Sequence, residues 1–129
     1  MSEVSTGTNM NYTVEYVELK NGKKPFEEFI LSLPIDERAK LFETINYFLE
    51  LKNQNLPIKE NISKHLENGI FELRSAFAKR IARSLYFYQK GAKIILTHGF
   101  IKKTDKTPRK EIERAKELRS LYQKGKEMI

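Results

Sequence analysis

Residues 94–115, IILTHGFIKKTDKTPRKEIERA, restrict the fold more than any other stretch, because an apolar, β-branched run passes almost directly into a helix start. Ile94, Ile95 and Leu96 are apolar at consecutive positions, as expected of a strand covered on both faces. Thr107 can cap a helix with Pro108 at its first position, with Ile112, Ala115, Leu118 and Tyr122 inward and Gly125 near its end. A strand and a long helix must therefore pack together. Five cations, Lys102, Lys103, Lys106, Arg109 and Lys110, crowd the junction within nine positions, opposed only by Asp105.

The remaining chain completes an α+β pattern in the order β-α-α-β-β-β-α. Residues 1–10 are small and polar and read as a flexible lead, leaving 11–129 as one domain. Tyr12, Val14 and Tyr16 alternate with polar residues, predicting a strand that Asn21-Gly22 ends. Phe26, Phe29, Ile30 and Leu33 follow helical spacing behind Pro25, and Pro34 closes that helix. Asp36 can cap a second helix with Leu41, Phe42, Ile45, Phe48 and Leu49 on one face. Residues 53–61 read as loop, and Lys64 and His65 fall in the connection before the next strand. Strands follow over 70–74, 80–88 and 93–100, the last two joined through Gln89-Lys90-Gly91.

Charge locates the working half. Residues 70–129 carry 16 Lys and Arg against 6 Asp and Glu, whereas residues 1–69 carry 8 against 11. Such asymmetry fits a polyanion-binding face. With no cysteine, disulfides, thiolate zinc sites and thiol nucleophiles are excluded, and two histidines without a carboxylate cluster argue against a metal. No run approaches the roughly 20 apolar residues of a membrane span, and no signal-peptide pattern opens the chain. The expectation is a cytoplasmic protein that needs neither metal nor organic cofactor and touches no membrane.

Several side chains in this half suit work on a phosphodiester. Cations at a helix start oppose the macrodipole, and a bound anion would remove that cost, since free N–H groups and lysines can address the same phosphate. Arg74 and Arg83 lie on neighbouring strands, where a guanidinium can hold a phosphate in bidentate fashion or can pair with a carboxylate such as Glu72. His98 ionises near pH 6.5 when unperturbed and suits proton transfer. Crowding by other cations can bring Lys102 or Lys103 into that role as well. His98, Phe100 and Lys102 point the same way along an extended strand, so Phe100 can stack on a base. Lys64 and His65, with Lys106, Arg109 and Lys110, complete the candidate nucleic-acid contacts.

Three segments together, GIFELR (69–74), RSLYFY (83–88) and THGFIKKTDKTPRKEIERA (97–115), resemble the RelE/HigB superfamily of type II toxins, most closely its phage-derived HigB-like branch. Phe71 and Ala82 depart from it, standing where many relatives have Trp and Tyr. The resemblance implies a RelE-like toxin fold, with an antiparallel sheet, an N-terminal helical hairpin and a C-terminal helix. It implies metal-independent cleavage of mRNA on the ribosome, a helix-turn-helix (HigA-like) antitoxin, and contact with operator DNA only through that antitoxin. By matched position, Arg83 stands at the arginine facing the scissile phosphate, Lys102 or Lys103 at the basic residue after the last strand, and Arg74 at the arginine of ELR.

The expected reaction is attack of the RNA 2′-hydroxyl on the adjacent phosphorus. Arg83 and Lys103 stabilise charge, His98 or Lys102 transfers the proton, and Arg74 positions the substrate. Two other readings fit the same basic face: a ParE-like gyrase poison, and a non-catalytic RNA- or ribosome-binding module.

Overall fold

The computed structural model describes residues 11–127, so the N-terminal lead lies outside the described residues. Its elements are β1 (Thr13–Tyr16), α1 (Pro25–Leu31), α2 (Ile35–Asn53), β2 (Ser63–Glu67), β3 (Ile70–Ala76), β4 (Ile81–Gln89), β5 (Lys93–Ile101) and α3 (Arg109–Glu127). The strands form one sheet in the order β1-β5-β4-β3-β2. The α+β class stands, with two corrections.

Ser63–Glu67 is a strand, where the sequence reading has a connection. Its SKHLE lacks the apolar alternation that marks strands, because it forms one edge of the sheet and packs only partly. Lys64 and His65 therefore sit on a strand. The sheet is also mixed rather than antiparallel, since β1 runs parallel to β5. A parallel neighbour needs a long crossover, and order along the chain does not reveal which strand will be that neighbour.

Helices cover both faces. On one, Phe26, Ile30, Leu33, Leu41, Ile45 and Phe48 from the α1–α2 hairpin meet Leu73, Ala82, Tyr86, Ile94 and Leu96. On the other, Ala115 and Leu118 of α3 meet Ile70, Leu85, Phe87 and Ile95. The consecutive apolar run in β5 is thus divided as expected, Ile94 and Leu96 to one layer and Ile95 to the other. Phe42 is the exception in α2, exposed on the solvent side of its helix. Two expected caps also differ. Pro34 stands at the N-cap of α2 while Asp36 lies in its first turn, and Thr107 directs its hydroxyl to Glu72.

One irregularity decides what faces α3. Pairing of β4 with β5 runs Ala82↔Ile101, Arg83↔Phe100, Ser84↔Gly99 and Leu85↔His98, then shifts to Tyr86↔Leu96, leaving Thr97 as an extra residue. A bulge of this kind reverses the alternation. Without it, His98 and Phe100 would share the face of Ile94 and Leu96. With it they join Leu85 and Arg83 on the α3 side, while Gly99 turns toward α1.

A Cβ at Gly99 would overlap the Phe29 ring, with Cε2 only 2.6 Å away, so glycine is needed for α1 to lie this close to β5. Gly99→Ala is expected to lower stability by about 1–3 kcal/mol through overpacking. Urea denaturation measures it, and an unchanged midpoint would show that the α1–β5 contact is looser than described.

Candidate functional site

Cross-strand register sets two rows on the α3 face. Arg74, Arg83 and Phe100 form one, and Lys64, Glu72, Leu85 and His98 form the next. Beyond Phe100 the chain leaves the sheet through residues 102–108 before α3 begins. A cavity of about 280 Å³ opens there, lined by Arg83, Phe100, Lys102, Lys103, Lys106 and Lys110, with Glu111 among its other walls.

The arginines meet a carboxylate the charge count does not single out. Glu72 is fully buried, and Arg74 Nε donates to its Oε2 at 2.9 Å while Arg83 Nη1 stands 3.2 Å from its Oε1. Two guanidinium groups, Arg83 buried and Arg74 part-exposed, share one carboxylate, so the triad keeps one net positive charge. Arg83 is 1% exposed. Its remaining donors reach Thr107 Oγ1 at 2.6 Å and the Asp105 carbonyl at 2.7 Å, while the Thr107 hydroxyl donates to Glu72. Arg83 thereby ties residues 104–107 back to the sheet. Its Nε is buried and has no partner, an uncommon state for a charged donor. The carboxylate-paired alternative for Arg74 and Arg83 is the one observed, and Arg83 contributes to the cavity as a buried wall.

The lysines remain outside this network. Lys102 pairs only with exposed Asp105 at 3.7 Å, and Lys103, Lys106 and Lys110 form no ion pair with any described residue. The first-turn N–H groups of a helix lack intrahelical partners, and the start of α3 lies beside these lysines. Arg109 is diverted away: its guanidinium holds Glu67 at 2.7 Å and Glu113 at 3.1 Å. Together with Lys116, it pulls the Glu67 carboxyl down to about 2. Arg109 thus pins α3 to β2 and adds nothing to the cavity wall.

His98 lies behind the cavity, 5% exposed, with Nε2 3.0 Å from Glu111 Oε1 and Nδ1 3.1 Å from Thr97 Oγ1. The Thr97 hydroxyl donates to the Leu85 carbonyl, which leaves Nδ1–H to donate to Thr97 and turns Nε2 toward the Glu111 carboxylate. Burial pushes the imidazole below its ordinary range, and Glu111 opposes that. Glu111 itself reaches the cavity wall. His98 is therefore placed to act through Glu111 rather than by touching a ligand.

The structure thus gathers Arg83, Phe100, Lys102, Lys103, Lys106 and Lys110 around one cavity, with Arg74 and His98 one contact behind. His65 is elsewhere: it is paired with Phe71 on the α1–α2 face, its ring 5.0 Å from that of Phe71, and its Nε2 accepts from Gly69 N–H. Lys64 lies beside His65 and Tyr88 at a separate aromatic crevice. Thr107 and Glu111 complete the site and are absent from the sequence-based candidates, whereas Glu72 enters there as a carboxylate able to pair with the arginines. ELR places Glu72 two residues from Arg74 on the same face, as strand alternation requires.

Among the described residues, no helix is long and apolar enough to cross a membrane. A family model described as phage-derived protein, Gp49-like (DUF891), matches residues 28–120, which include the end of α1, all of α2 and every residue of the cavity. No curated protein matches the chain.

Proposed function

The chain belongs to the Gp49-like family of phage-derived proteins, a family associated with RelE/HigB-type toxins of toxin–antitoxin systems, and on that footing we propose that it is a HigB-like type II toxin that cleaves mRNA on the ribosome. Its neutralising partner is a helix-turn-helix antitoxin of the HigA type, through which alone it meets operator DNA. One observation carries the reading: a cavity whose Lys103, Lys106 and Lys110 form no ion pair with any described residue, backed by a largely buried triad with surplus positive charge. Three exposed lysines without ion-pair partners suit an external polyanion, and single-stranded RNA supplies one phosphate per nucleotide.

The arrangement supports a division of labour. Lys103, Lys106 and Lys110 hold the scissile phosphate and neutralise charge growing on its oxygens. Arg83 acts from behind, fixing residues 104–107 and adding the field of the triad. The 2′-oxygen attacks phosphorus as the bond to the 5′-oxygen breaks, giving a 2′,3′-cyclic phosphate and a 5′-hydroxyl. Glu111, oriented by His98, accepts the 2′-hydroxyl proton, and Lys102 delivers one to the departing 5′-oxygen.

Primer extension on cellular mRNA after induction tests this. Discrete new 5′ ends within translated messages are expected. Intact messages with relaxed supercoiling would select the gyrase-directed reading, and intact messages with halted translation the binding module; either result overturns the proposal.

A further inference from the structure

A second groove continues from the cavity. It encloses about 500 Å³, within the roughly 300–1,000 Å³ usual for ligand sites, and shares Lys102, Lys103 and Thr104 with the first. Those three residues form a common wall. The opposite wall is the β3–β4 hairpin, where Ala76, Ala78 and Ile81 are apolar and Lys79 and Arg80 are cationic.

The two walls differ in what their charges do. Arg80 is spent on the protein, gripping Glu37 of α2 with Nη2 at 2.6 Å and Nε at 3.2 Å from the carboxylate oxygens. That contact fixes the hairpin against the helical layer. Lys79, at the hairpin tip, is exposed and forms no ion pair with any described residue. Across the groove Lys103 is likewise exposed and unpaired. The groove therefore has apolar residues on its hairpin wall and, on each side, an ammonium that pairs with no described residue, while the Asp105 carboxylate on the shared side is held by Lys102 at 3.7 Å.

Both walls are held in place without a ligand. Lys102 N–H donates to the Ile81 carbonyl at 2.7 Å, joining the exit of β5 to the start of β4. Phe77 N–H donates to the Arg80 carbonyl at 2.8 Å and closes the hairpin tip. Arg83 holds the Asp105 carbonyl from below. Little ordering remains to be done on binding, which favours affinity.

We infer that the groove between the β3–β4 hairpin and residues 102–105 is a second nucleotide subsite, in which Lys79 and Lys103 bracket the phosphate next to the scissile one and a base rests against the apolar residues of the hairpin wall. This rests on the cavity being an RNA site, and it makes the protein a reader of at least two successive linkages. The shared wall is the geometric reason: a chain leaving the cavity over Lys103 has the groove immediately before it. An extended strand with evenly spaced charges suits this better than a folded protein surface does.

The test uses the full chain with fully 2′-O-methylated oligoribonucleotides, which lack the attacking hydroxyl and stay intact. A labelled octanucleotide and a dinucleotide are titrated by fluorescence anisotropy at several salt concentrations. Lys79→Glu, an exposed substitution that leaves the fold intact, is expected to weaken the octanucleotide about tenfold and lower its salt slope by about 0.7, without altering the dinucleotide. Lys110→Glu in the cavity weakens both. If Lys79→Glu changes neither probe while Lys110→Glu weakens both, the groove inference falls and the cavity reading stands. If the wild-type protein binds neither RNA, the cavity reading fails and takes the groove with it. An oligoglutamate peptide that binds as tightly as the octanucleotide, with the same dependence on Lys79, would make the groove an acidic-peptide site and overturn the inference.

Discussion

Glu72→Ala is expected to cost about 3–5 kcal/mol of stability, the usual penalty for removing one partner of a buried ion pair and stranding the other. Folded domains commonly retain only about 5–15 kcal/mol in total, so this loss would bring the protein close to unfolding at ordinary temperature. The reason is local. Glu72 is fully buried and is the carboxylate on which Arg74, Arg83 and Thr107 converge. Without it Arg83, 1% exposed, keeps only the Thr107 hydroxyl and backbone carbonyls to satisfy its charge. Residues 104–107 would lose their anchor at the same time, and with them the placement of Lys103 and Lys106. Urea denaturation followed by far-UV circular dichroism reads the loss. The double variant Glu72→Ala with Arg83→Met removes both charges and is expected to regain much of it. A single variant within about 1 kcal/mol of the parent would mean that the triad is not what holds the junction.

Glu111→Gln carries the largest expected effect on activity, a fall of about 10²–10⁴ in the rate of message cleavage with the fold retained. The glutamine amide keeps the size of the side chain and can still hydrogen-bond to His98 Nε2, so the cavity wall survives and only the capacity to accept a proton is lost. Cleavage is measured with programmed ribosomes, and the unfolding midpoint is expected within about 0.5 kcal/mol of the parent. The pH profile separates proton transfer from packing. A general base works only while it is unprotonated, so in the parent the rate falls as pH falls. In Glu111→Gln that acidic limb disappears and a low, flat rate remains. His98→Gln should keep part of the activity with a displaced limb, as expected of a residue that acts through Glu111. Rates within tenfold of the parent in Glu111→Gln would assign the proton transfer to another group, with Lys102 next in position.

The corrections and the successes follow different interactions. Phe26, Ile30 and Leu33, and likewise Ile112, Ala115 and Leu118, were legible because helical spacing puts apolar side chains on one stripe. The two-layer split of Ile94, Ile95 and Leu96 was legible for the same kind of reason, as consecutive strand residues alternate between faces. Residues 63–67 were not, because a short edge strand draws its stability from the backbone of β3 and asks little of its own side chains. Cations were legible as a cluster, but not their individual fates. Lys103, Lys106 and Lys110 stayed at the cavity, whereas Arg109 turned to Glu67, 42 residues away in sequence. His65 and Lys64 are adjacent in the chain and paired with opposite faces of β3, since alternate strand residues point opposite ways.

The sequence alone determined every element except β2, most of their apolar faces and the concentration of positive charge between the last strand and the last helix, because periodicity and charge density are properties of neighbours along the chain. Only the tertiary structure decided that Arg83 is buried against Glu72, that the Thr97 bulge turns His98 toward Glu111, and that β1 lies parallel beside β5. Those outcomes depend on strand register and on which carboxylate arrives within about 4 Å of which cation. Each is fixed by packing the whole sheet between its two helical layers, and a shift of one residue in register would give a different set of partners.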